Sequence, residues 1–284
     1  MKYAVIDVGS NSVRLMISVD GITQNKYVKT TRLAQNLGDE KVLKKEPIER
    51  TACAVSFFAS KAKELCADKI YVFATAAVRE AKNKCEFLTM VKNLCGLDVE
   101  VISGDMEAKL GAIGALNDKD CAIIDVGGAS SEVMVVKNGN AVYSKSLDIG
   151  AVKIKDACEQ DKQKILALVE KKVSEYGDIP PSNFIGIGGT ATTMAAISLQ
   201  LEVYDPAKVH GYVLSIEQVK AIRDMLLELT LEQKYNLKGL QKERAEVISG
   251  GVSLIYQILK KAGADKITIS ESDNLEGYLT LKRS

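Results

Sequence analysis

The sequence YAVIDVGSNS, at Tyr3–Ser12, returns as CAIIDVGGASSE at Cys121–Glu132, 118 positions further along the chain. Each copy is a short apolar run that ends in Asp-Val-Gly and continues into small and hydroxyl-bearing residues. An apolar run of this kind is typical of a buried β-strand. The glycine and serine residues after it allow a tight turn whose backbone N–H groups can bind an anion. Two matched turns, one in each half of the chain, predict two similar lobes that hold a phosphate chain between them.

The size and charge of the chain exclude several classes of protein. Its 284 residues suffice for two compact domains. It has 38 Lys and Arg against 37 Asp and Glu, so it lacks the broad positive field that attracts nucleic acid. No stretch approaches the ~18 apolar residues of a membrane helix, and no signal-peptide apolar region precedes the first strand. We therefore expect a cytoplasmic protein that binds neither nucleic acid nor membrane.

The cysteine and histidine residues argue against disulfides and zinc. The six cysteines are scattered without a C-x-x-C pair, and most fall in apolar patterns, so we expect reduced thiols in the core. His210 is the only histidine. This count excludes a three-histidine zinc site, and a serine–histidine triad would have to be built around this one residue.

Strand and helix patterns alternate along the chain, which favours an α/β protein. Strands are predicted at Tyr3–Asp7, Val13–Val19, Lys26–Leu33, Lys69–Ala74, Asp98–Ile102, Cys121–Asp125, Glu132–Lys137, Ala141–Ser146, Phe184–Ile187 and Lys266–Ser270. Helices are predicted at Pro47–Cys66, Ala76–Leu94, Met106–Leu116, Lys162–Tyr176, Thr192–Leu199, Ile216–Glu228, Glu243–Ala262 and Asn274–Lys282. A loop is predicted at Gln35–Glu46 and a hairpin turn at Asn138-Gly139. We place a first lobe at residues 1–118 and a second at 119–273, divided near Asn117–Asp120, and expect the closing helix at about 274–284 to pack back on the first lobe.

Asp7 and Asp125 are the paired carboxylates of the repeat. Each follows a strand, so the two would face each other across a cleft between the lobes. Glu132 comes seven residues after Asp125 and can reach the same cleft. Mg²⁺, or another divalent cation, suits oxygen ligands of this kind together with water and substrate phosphate. We therefore predict Asp7, Asp125 and Glu132 as metal ligands, although each aspartate could instead cap a turn.

The turns after the two strands are the predicted phosphate-binding loops, because backbone N–H groups and hydroxyls bind phosphate without a buried formal charge. Their residues are Gly9, Ser10, Asn11 and Ser12 in the first turn and Gly127, Gly128, Ser130 and Ser131 in the second. A third turn, with Gly189 and Thr190, precedes a predicted helix and could bind another phosphate or a nucleotide. An ordinary glycine-rich hairpin is the alternative for each.

Three arginines and one glutamate complete the predicted site. Arg14, Arg32 and Arg79 each fall just beyond a strand, the edge where open α/β sheets bind ligands, and the guanidinium fork matches phosphate oxygens. Thr75 precedes Arg79 and is included among the phosphate-binding residues. Glu107 begins a helix after a strand. Spacing alone favours a role at the helix dipole over a role as a general base on water.

Together these residues resemble the exopolyphosphatase / guanosine pentaphosphate phosphohydrolase family, within the actin, Hsp70 and sugar-kinase superfamily. The matching stretches run in the family's order along nearly the whole chain: AVIDVGSNSVRL (Ala4–Leu15), TRL (Thr31–Leu33), ATAAVREA (Ala74–Ala81), SGDMEAKLG (Ser103–Gly111), IIDVGGASSE (Ile123–Glu132), GAVKI (Gly150–Ile154), GIGGTATTMAA (Gly186–Ala196), VHGYVLS (Val209–Ser215) and ERAEVISGG (Glu243–Gly251).

The resemblance implies two actin-like (ribonuclease H-like) lobes with an interlobe cleft, and Mg²⁺-dependent hydrolysis of a terminal phosphoanhydride. It implies that Glu107 is the catalytic base and that Asp125 and Glu132 support metal and water. The positions that it assigns to phosphate binding are Ser10, Asn11, Arg79, Gly127 and Ser130.

The chain departs from the family pattern in three places. Ala129 replaces a usual third glycine, and Ser131 replaces a usual threonine. The C-terminal Leu-Arg-Glu-Gly pattern reads Asn274-Leu275-Glu276-Gly277 here, so its arginine is absent. Longer members add helical domains after the second lobe, so we expect this chain to prefer short polyphosphates or nucleotides.

The resulting hypothesis is an exopolyphosphatase that releases the terminal phosphate of inorganic polyphosphate, with a homodimer expected only by analogy with the family. Hydrolysis of guanosine pentaphosphate by the same residues is the nearest alternative. A kinase of the same superfamily would require a pocket for an acceptor. A non-catalytic nucleotide or alarmone sensor also stays open, because the C-terminal motif is altered.

Overall fold

The computed structural model describes residues 1–37, 40–115, 120–138 and 140–283. Its strands are β1 (Lys2–Val8), β2 (Ser12–Val19), β3 (Ile22–Thr30), β4 (Lys69–Ala74), β5 (Glu100–Val101), β6 (Cys121–Val126), β7 (Ser131–Lys137), β8 (Asn140–Leu147), β9 (Phe184–Ile187), β10 (Val213–Ser215) and β11 (Lys266–Ile269). Its helices are α1 (Lys45–Glu64), α2 (Ala76–Glu80), α3 (Lys84–Cys95), α4 (Gly104–Ala115), α5 (Ala151–Cys158), α6 (Lys162–Ser174), α7 (Gly188–Ser198), α8 (Pro206–Val209), α9 (Ile216–Glu228), α10 (Leu231–Tyr235), α11 (Ile248–Lys261) and α12 (Asn274–Arg283), with a 3₁₀ turn at Lys242–Arg244.

The strands form two sheets with one shared plan. The first has the order β3-β2-β1-β4-β5 and the second the order β10-β11-β9-β6-β7-β8. In each sheet an antiparallel meander, β1–β2–β3 or β6–β7–β8, gains a parallel strand, β4 or β9, beside its first member. The sequence repeat is thus a repeat of topology, in which β1 corresponds to β6.

The strand register gives the two repeats different neighbours. Asp7 of β1 lies opposite Arg14 of β2, and Asp125 of β6 lies opposite Glu132 of β7. Residues directly opposite each other in an antiparallel pair project from the same face of the sheet. The first carboxylate therefore has a cation beside it, and the second has another acid.

Helix α1 covers one face of the first sheet because its apolar residues recur at helical spacing. Pro47 occupies the first turn, where its missing N–H costs nothing, and Ile48, Ala52, Val55 and Ala59 are buried. Burial of an isoleucine or valine side chain contributes about 1.5–3 kcal/mol. This packing fixes the meander that carries Asp7.

Helix α12 lies on the opposite face of the first sheet, although it follows β11 of the second. Leu275, Tyr278 and Leu279 are buried there against Phe73 and Leu110, and the rings of Phe73 and Tyr278 stack with centroids 4.6 Å apart. The chain therefore crosses from one sheet to the other at residues 270–273, beside the two aspartate loops.

Most of the predicted elements are confirmed. The strands at Lys69–Ala74 and Phe184–Ile187 and the helix at Ile216–Glu228 have the predicted bounds, and the other strands differ at their ends. The third strand begins earlier than predicted, at Ile22, because the Asp20-Gly21 turn leads directly into an antiparallel hairpin. The loop expected up to Glu46 ends sooner, because α1 begins at Lys45.

Three predicted helices are wrong in extent. The helix predicted from Thr192 begins at Gly188, so Gly189 and Thr190 lie in its first turn and do not form a separate turn before it. The single helix at Ala76–Leu94 is two helices, because Ala81 is extended and the Asn83 side chain bonds the backbone N–H and C=O of Leu43 at 2.9 and 3.0 Å. The helix predicted from Glu243 begins only at Ile248, after the 3₁₀ turn. Helices α5, α8 and α10 and strand β10 have no counterpart among the predicted elements. The proposed lobe boundary at residues 117–119 and the turn residue Gly139 lie outside the described residues.

All six cysteines are reduced thiols, but the predicted core placement is wrong for three of them. Cys53, Cys66 and Cys85 are exposed, and Cys121 and Cys158 are buried. The exposed ones lie on the outer sides of their helices and loops, where the apolar pattern does not distinguish a boundary position from a core position.

Within the residues that the structure describes, none of the helices combines the length and the apolar character needed to cross a bilayer.

Candidate active site

The two repeated turns have the same backbone hydrogen bond and touch each other. Gly9 N donates to Ser12 O and Gly127 N donates to Ser130 O, both at 3.0 Å. The second turn approaches the first so closely that a Cβ on Gly128 would lie 2.7 Å from the Cβ of Ser10. The sequence repeat therefore brings two matched turns to one place between the sheets.

Neighbouring backbone holds both turns from behind. The carbonyl of Asn11 accepts a hydrogen bond from Arg32 N at 2.8 Å, and the carbonyl of Gly128 accepts one from Val152 N at 2.8 Å. A trans peptide holds its N–H opposite to its C=O. The N–H groups that follow these carbonyls therefore point away from the supports, as donors for an anion.

A cavity of about 1060 Å³ opens where the turns meet. Fourteen of the predicted site residues line it: Asp7, Gly9, Ser10, Asn11, Ser12, Arg14, Thr75, Glu107, Asp125, Gly127, Gly128, Ser130, Gly189 and Thr190. The two aspartates of the repeat thus share one hollow, as the sequence predicted.

The carboxylate of Asp7 is held by a buried cation. Arg14 Nε donates to Asp7 Oδ2 at 2.9 Å, and the same guanidinium donates to Asp273 from the segment before α12. Burial alone would lower the pKa of Arg14, but the carboxylates of Asp273 and Asp7 raise it. Burial opposes the ionisation of Asp273 too, yet Arg14 and Lys26 outweigh it and lower the pKa of that carboxyl.

The carboxylate of Asp125 has a neutral partner instead. Asn274 Nδ2 donates to Asp125 Oδ2 at 3.1 Å. Gly188, which has φ +76°, approaches the other oxygen so closely that a Cβ would lie 2.6 Å from Asp125 Oδ1. Burial, and next the charge of Glu107, raise the pKa of Asp125 to about 8. The carboxyl of Asp125 therefore ionises readily when a cation binds beside it.

Glu132 is buried beside Asp125. Ser146 Oγ donates to its Oε1 at 2.7 Å, while its Oε2 has no hydrogen-bond partner within the described part of the chain. Burial raises the pKa of Glu132 well above its usual range, and the charges of Glu107 and Asp125 raise it further. Asp7 Oδ1 is also buried without a partner there, and an unpartnered buried oxygen costs about 1–3 kcal/mol.

Glu107 lies in the first turn of α4 with its side chain turned into the cavity. Arg79 donates to Glu107 Oε2 at 2.9 Å and to the carbonyl of Ile102 at 3.2 Å. Burial raises the pKa of Glu107, although Arg79 opposes the shift. Asp105, in the same helical turn, is exposed. A carboxylate that served only the helix dipole could sit at the surface as Asp105 does, so the burial of Glu107 favours a chemical role.

Four predicted residues lie outside the cavity lining. Arg79 stands behind the lining and contacts the site through Glu107. Glu132 lies beside Asp125 in the strand register, and Ser146 donates a hydrogen bond to it. The Arg32 side chain pairs with Glu246 at 2.9 Å, so only its backbone supports the first turn. Ser131 Oγ accepts a hydrogen bond from Tyr176 at 2.9 Å, which anchors the start of β7.

The sequence reasoning missed three residues of the site. Arg244 lines the cavity and packs on the first turn of α7, since a Cβ on Gly189 would lie 2.1 Å from its guanidinium. It belongs to the matched stretch ERAEVISGG, which could have drawn attention to it. Asp273 directly precedes the altered C-terminal motif, and Asn274 is the first residue of that motif. The motif drew attention only because its arginine is missing. Leu275, at that position, is buried against Phe73.

The predicted metal ligands do not form a ready-made cage. Across the described ranges, no group of three or more His, Cys, Asp or Glu side chains is arranged to hold a metal ion. Asp7 already forms an ion pair with Arg14, and Glu132 is not among the residues that line the cavity. Mg²⁺ usually takes one or two carboxylates, water and phosphate oxygens. The oxygens of Asp125, which form no ion pair within the described residues and accept a hydrogen bond from the neutral Asn274, fit a cation that binds together with phosphate.

Comparison with known proteins identifies the family of the chain. The sequence profile of the Ppx/GppA phosphatase family matches residues 21–282. The chain is 33% identical to the bifunctional 3-dehydroquinate synthase/phosphatase of Fusobacterium nucleatum, where the match covers 97% of this chain and 46% of that protein. It is 28% identical to exopolyphosphatase 2 of Mycobacterium tuberculosis, with 97% of both chains covered.

Some of the relatives are longer than this chain. A guanosine-5'-triphosphate,3'-diphosphate pyrophosphatase of Photobacterium profundum is 26% identical over 98% of this chain and 58% of its own length. The chain thus spans only about half of the first relative and three fifths of this one.

A solved structure has the same architecture over the whole chain. The Ppx/GppA family member of Aquifex aeolicus is 30% identical, covers 100% of this chain and 99% of its own, and has a TM-score of 0.81. The α/β class with two actin-like lobes is therefore confirmed.

Proposed function

The chain belongs to the Ppx/GppA phosphatase family, and from that premise we propose that it hydrolyses the terminal phosphoanhydride of inorganic polyphosphate and releases inorganic phosphate. The single observation that carries the proposal is the meeting of two matched anion-binding turns beside a buried glutamate. Gly128 touches Ser10 across the two turns, and Glu107 lines the same cavity.

We assign the terminal phosphate to the two turns. Backbone N–H groups and the Ser10 and Ser130 hydroxyls would surround its oxygens, as donors that are already oriented and cost no reorganisation. Phosphoryl transfer requires mainly position and charge compensation from the protein. Arg14 is largely neutralised by Asp7 and Asp273, so it would serve to hold the first turn's carboxylate in place.

Glu107 would orient and deprotonate the attacking water. Its raised pKa brings the carboxyl closer to neutral pH, where a general base is most effective. Arg79, bonded to Glu107 Oε2, would fix which oxygen faces the water. The new P–O bond forms as the bond to the bridging oxygen breaks, and the shortened polyphosphate leaves with that oxygen.

A divalent cation fits the second turn. Asp125, with Glu132 behind it, is the place where positive charge would be most favourable. Burial and the charge of Glu107 raise the pKa of both carboxyls, and the charge of Asp125 raises that of Glu132 further. When bound with phosphate, the cation would offset negative charge on the phosphoryl oxygens. Ppx/GppA phosphatases depend in general on divalent cations, and we propose Mg²⁺ here.

Guanosine pentaphosphate is the second candidate substrate. A cavity of about 1060 Å³ is much larger than one phosphate requires, and it falls at the upper end of the range for small-molecule sites. The relative from Photobacterium profundum is named for activity on such a nucleotide. The same terminal anhydride would be cut in both cases.

The test is phosphate release by the purified protein from polyphosphate, guanosine pentaphosphate and ATP, with the Glu107→Gln variant beside the wild type. We expect the variant to fold and to lose ~10²–10⁴-fold in kcat, the range of general-base catalysis. Asp105→Asn is the matched control, since it removes an exposed acid from the same turn of α4. Near-normal hydrolysis by Glu107→Gln, or an equal loss in Asp105→Asn, would contradict the assignment.

A further inference from the structure

The cavity continues beyond the catalytic carboxylates to the outer edge of the first sheet. Tyr27 and Lys29 of β3 and Phe57 and Lys61 of α1 line this part of it. We call these four residues the β3–α1 face. Because β3 is an edge strand, the cavity can pass its side and reach α1. The space between the turns and this face is more than a terminal phosphate needs.

The strand register explains why the four side chains meet. Tyr27 lies opposite Leu15 and Lys29 opposite Val13, and both partners belong to the core under α1. Side chains of opposite residues share a face. Tyr27 and Lys29 therefore project toward α1, which presents Phe57 and Lys61.

Each lysine of the face is held by an aromatic ring. Lys29 Nζ is 5.0 Å from the centroid of Phe57, and Lys61 Nζ is 4.4 Å from the centroid of Tyr27. Neither ammonium forms an ion pair with a carboxylate of the described residues, whereas Lys26 pairs with Glu276 at 2.8 Å. A ring positions a cation but leaves its charge available. The face thus presents two oriented positive charges that are free to meet an anion.

Charge is distributed unevenly along the cavity. None of the described lining residues from β3 and α1 is acidic, while Asp7, Glu107, Asp125 and Asp273 surround the catalytic end. When the terminal phosphate of a polyanion lies between the turns, its remaining phosphates are favoured near the lysines and disfavoured near these acidic groups. The other wall, at Arg244, also carries Glu271, so it is less favourable to further phosphates.

We propose that the β3–α1 face binds the distal phosphates of a linear polyphosphate whose end is cut between the turns. This inference rests on the proposed hydrolysis and specifies its substrate. The ligand that the face selects is a phosphate chain and not a nucleobase, because one face of each ring already carries an ammonium group. Phe57 is 54% exposed, and its ring orients Lys29. Chains that reach the face are preferred over tripolyphosphate, contrary to the expectation of a short-chain enzyme.

The experiment compares a Lys29→Gln/Lys61→Gln double variant with the wild type on tripolyphosphate and on chains of several tens of phosphates. We expect KM for the long chains to rise about three- to tenfold, as for the loss of two partly exposed ion contacts, with kcat unchanged. KM for tripolyphosphate stays the same. Phe57→Leu, which removes the ring and keeps an apolar side chain, gives a smaller rise. Lys63→Gln is the matched control, an exposed lysine of α1 outside the cavity lining, and changes nothing.

Equal effects on short and long chains, or no effect on either, would overturn the proposal. So would a loss confined to guanosine pentaphosphate, which would assign the face to the nucleoside. If the wild type releases no phosphate from any chain, the proposed function fails. Calorimetric measurement of long-polyphosphate binding then tests separately whether the β3–α1 face binds phosphate chains. Weaker binding in the double variant than in Lys63→Gln supports it, and equal binding contradicts it.

Discussion

The two aspartate loops have the same turn but opposite electrostatics. In the first, Asp7 lies opposite Arg14 in the strand register; in the second, Asp125 lies opposite Glu132. The hydrogen bond that closes each turn is 3.0 Å long in both. The acid of the first loop is therefore paired with a cation of its own sheet, although burial still raises its pKa, while the second loop concentrates acids that have no paired cation.

This difference indicates separate roles for the two loops. In the first loop Arg14 binds Asp7 and is itself held by Asp273. The second loop has a neutral donor, Asn274, and a carboxyl whose pKa is about 8. Uncompensated acids cost stability and are kept where function needs them. We therefore expect the cation and the chemistry to belong to the side of the second loop.

Asp125→Asn gives the largest expected effect on this comparison. The amide has nearly the same shape but cannot attract a cation, so we expect kcat to fall by at least ~10²-fold, the scale of losing one major electrostatic group. Because burial opposes ionisation of Asp125, the metal-free variant should be more stable than the wild type at pH 8, by at least ~1 kcal/mol. Denaturant unfolding and phosphate release measure the two effects. An Asp125→Asn variant that is inactive and also less stable than the wild type would contradict the proposed electrostatic difference between the two loops.

Asp7→Asn should behave in the opposite way. It removes one of the two carboxylates that hold the buried Arg14, so we expect a stability loss of about 1–3 kcal/mol. The same unfolding experiment, run beside Asp125→Asn, measures it. Equal shifts in the same direction for the two variants would show that the loops are electrostatically alike.

Asn274→Leu tests the neutral donor of the second loop. Leucine keeps the branched shape and the number of side-chain heavy atoms but removes the hydrogen bond to Asp125, so we expect about a tenfold loss of kcat, typical of partners that orient a ligand. Leu279→Ala, on the buried side of the same helix, controls for lost packing. It should lower stability and leave kcat unchanged. A parallel loss of kcat in both variants would assign Asn274 a packing role only.

The pH dependence of stability offers the smallest test. The Asp125 carboxyl keeps its proton up to about pH 8 in the folded protein but ionises near 3.8 when unfolded. The folded state thus binds more protons between these values, and the metal-free protein loses stability as pH rises from about 5 to 8. Thermal unfolding across that range measures the slope, which Asp125→Asn should reduce. An unchanged slope in that variant would contradict the raised pKa.

The sequence predicted the parts of the site that lie within one stretch of chain. The Asp-Val-Gly repeat located both turns, and its seven-residue spacing to Arg14 and Glu132 already contained the charge difference. What it could not provide are contacts between distant segments. Arg14 meets Asp273 across 259 positions, and Asp125 meets Asn274 across 149. Such pairs depend on where α12 packs, and that follows from the folded cores.

The role of Arg32 shows a second limit of sequence reasoning. Its position beyond a strand end predicted a phosphate contact, but its backbone supports the first turn and its side chain pairs with Glu246. The direction of a side chain after a strand depends on the local backbone, here a left-handed residue with φ 51°. Spacing alone carries no signal for that direction.

The most direct test of the division of work between the loops is a crystal structure of Glu107→Gln with tripolyphosphate and Mn²⁺, in which the anomalous signal locates the cation. We predict a terminal phosphate that accepts hydrogen bonds from both turns, residues 9–12 and 127–130, with the cation on the side of Asp125. A phosphate bound to one turn alone, or a cation beside Asp7 and Arg14, would contradict that division.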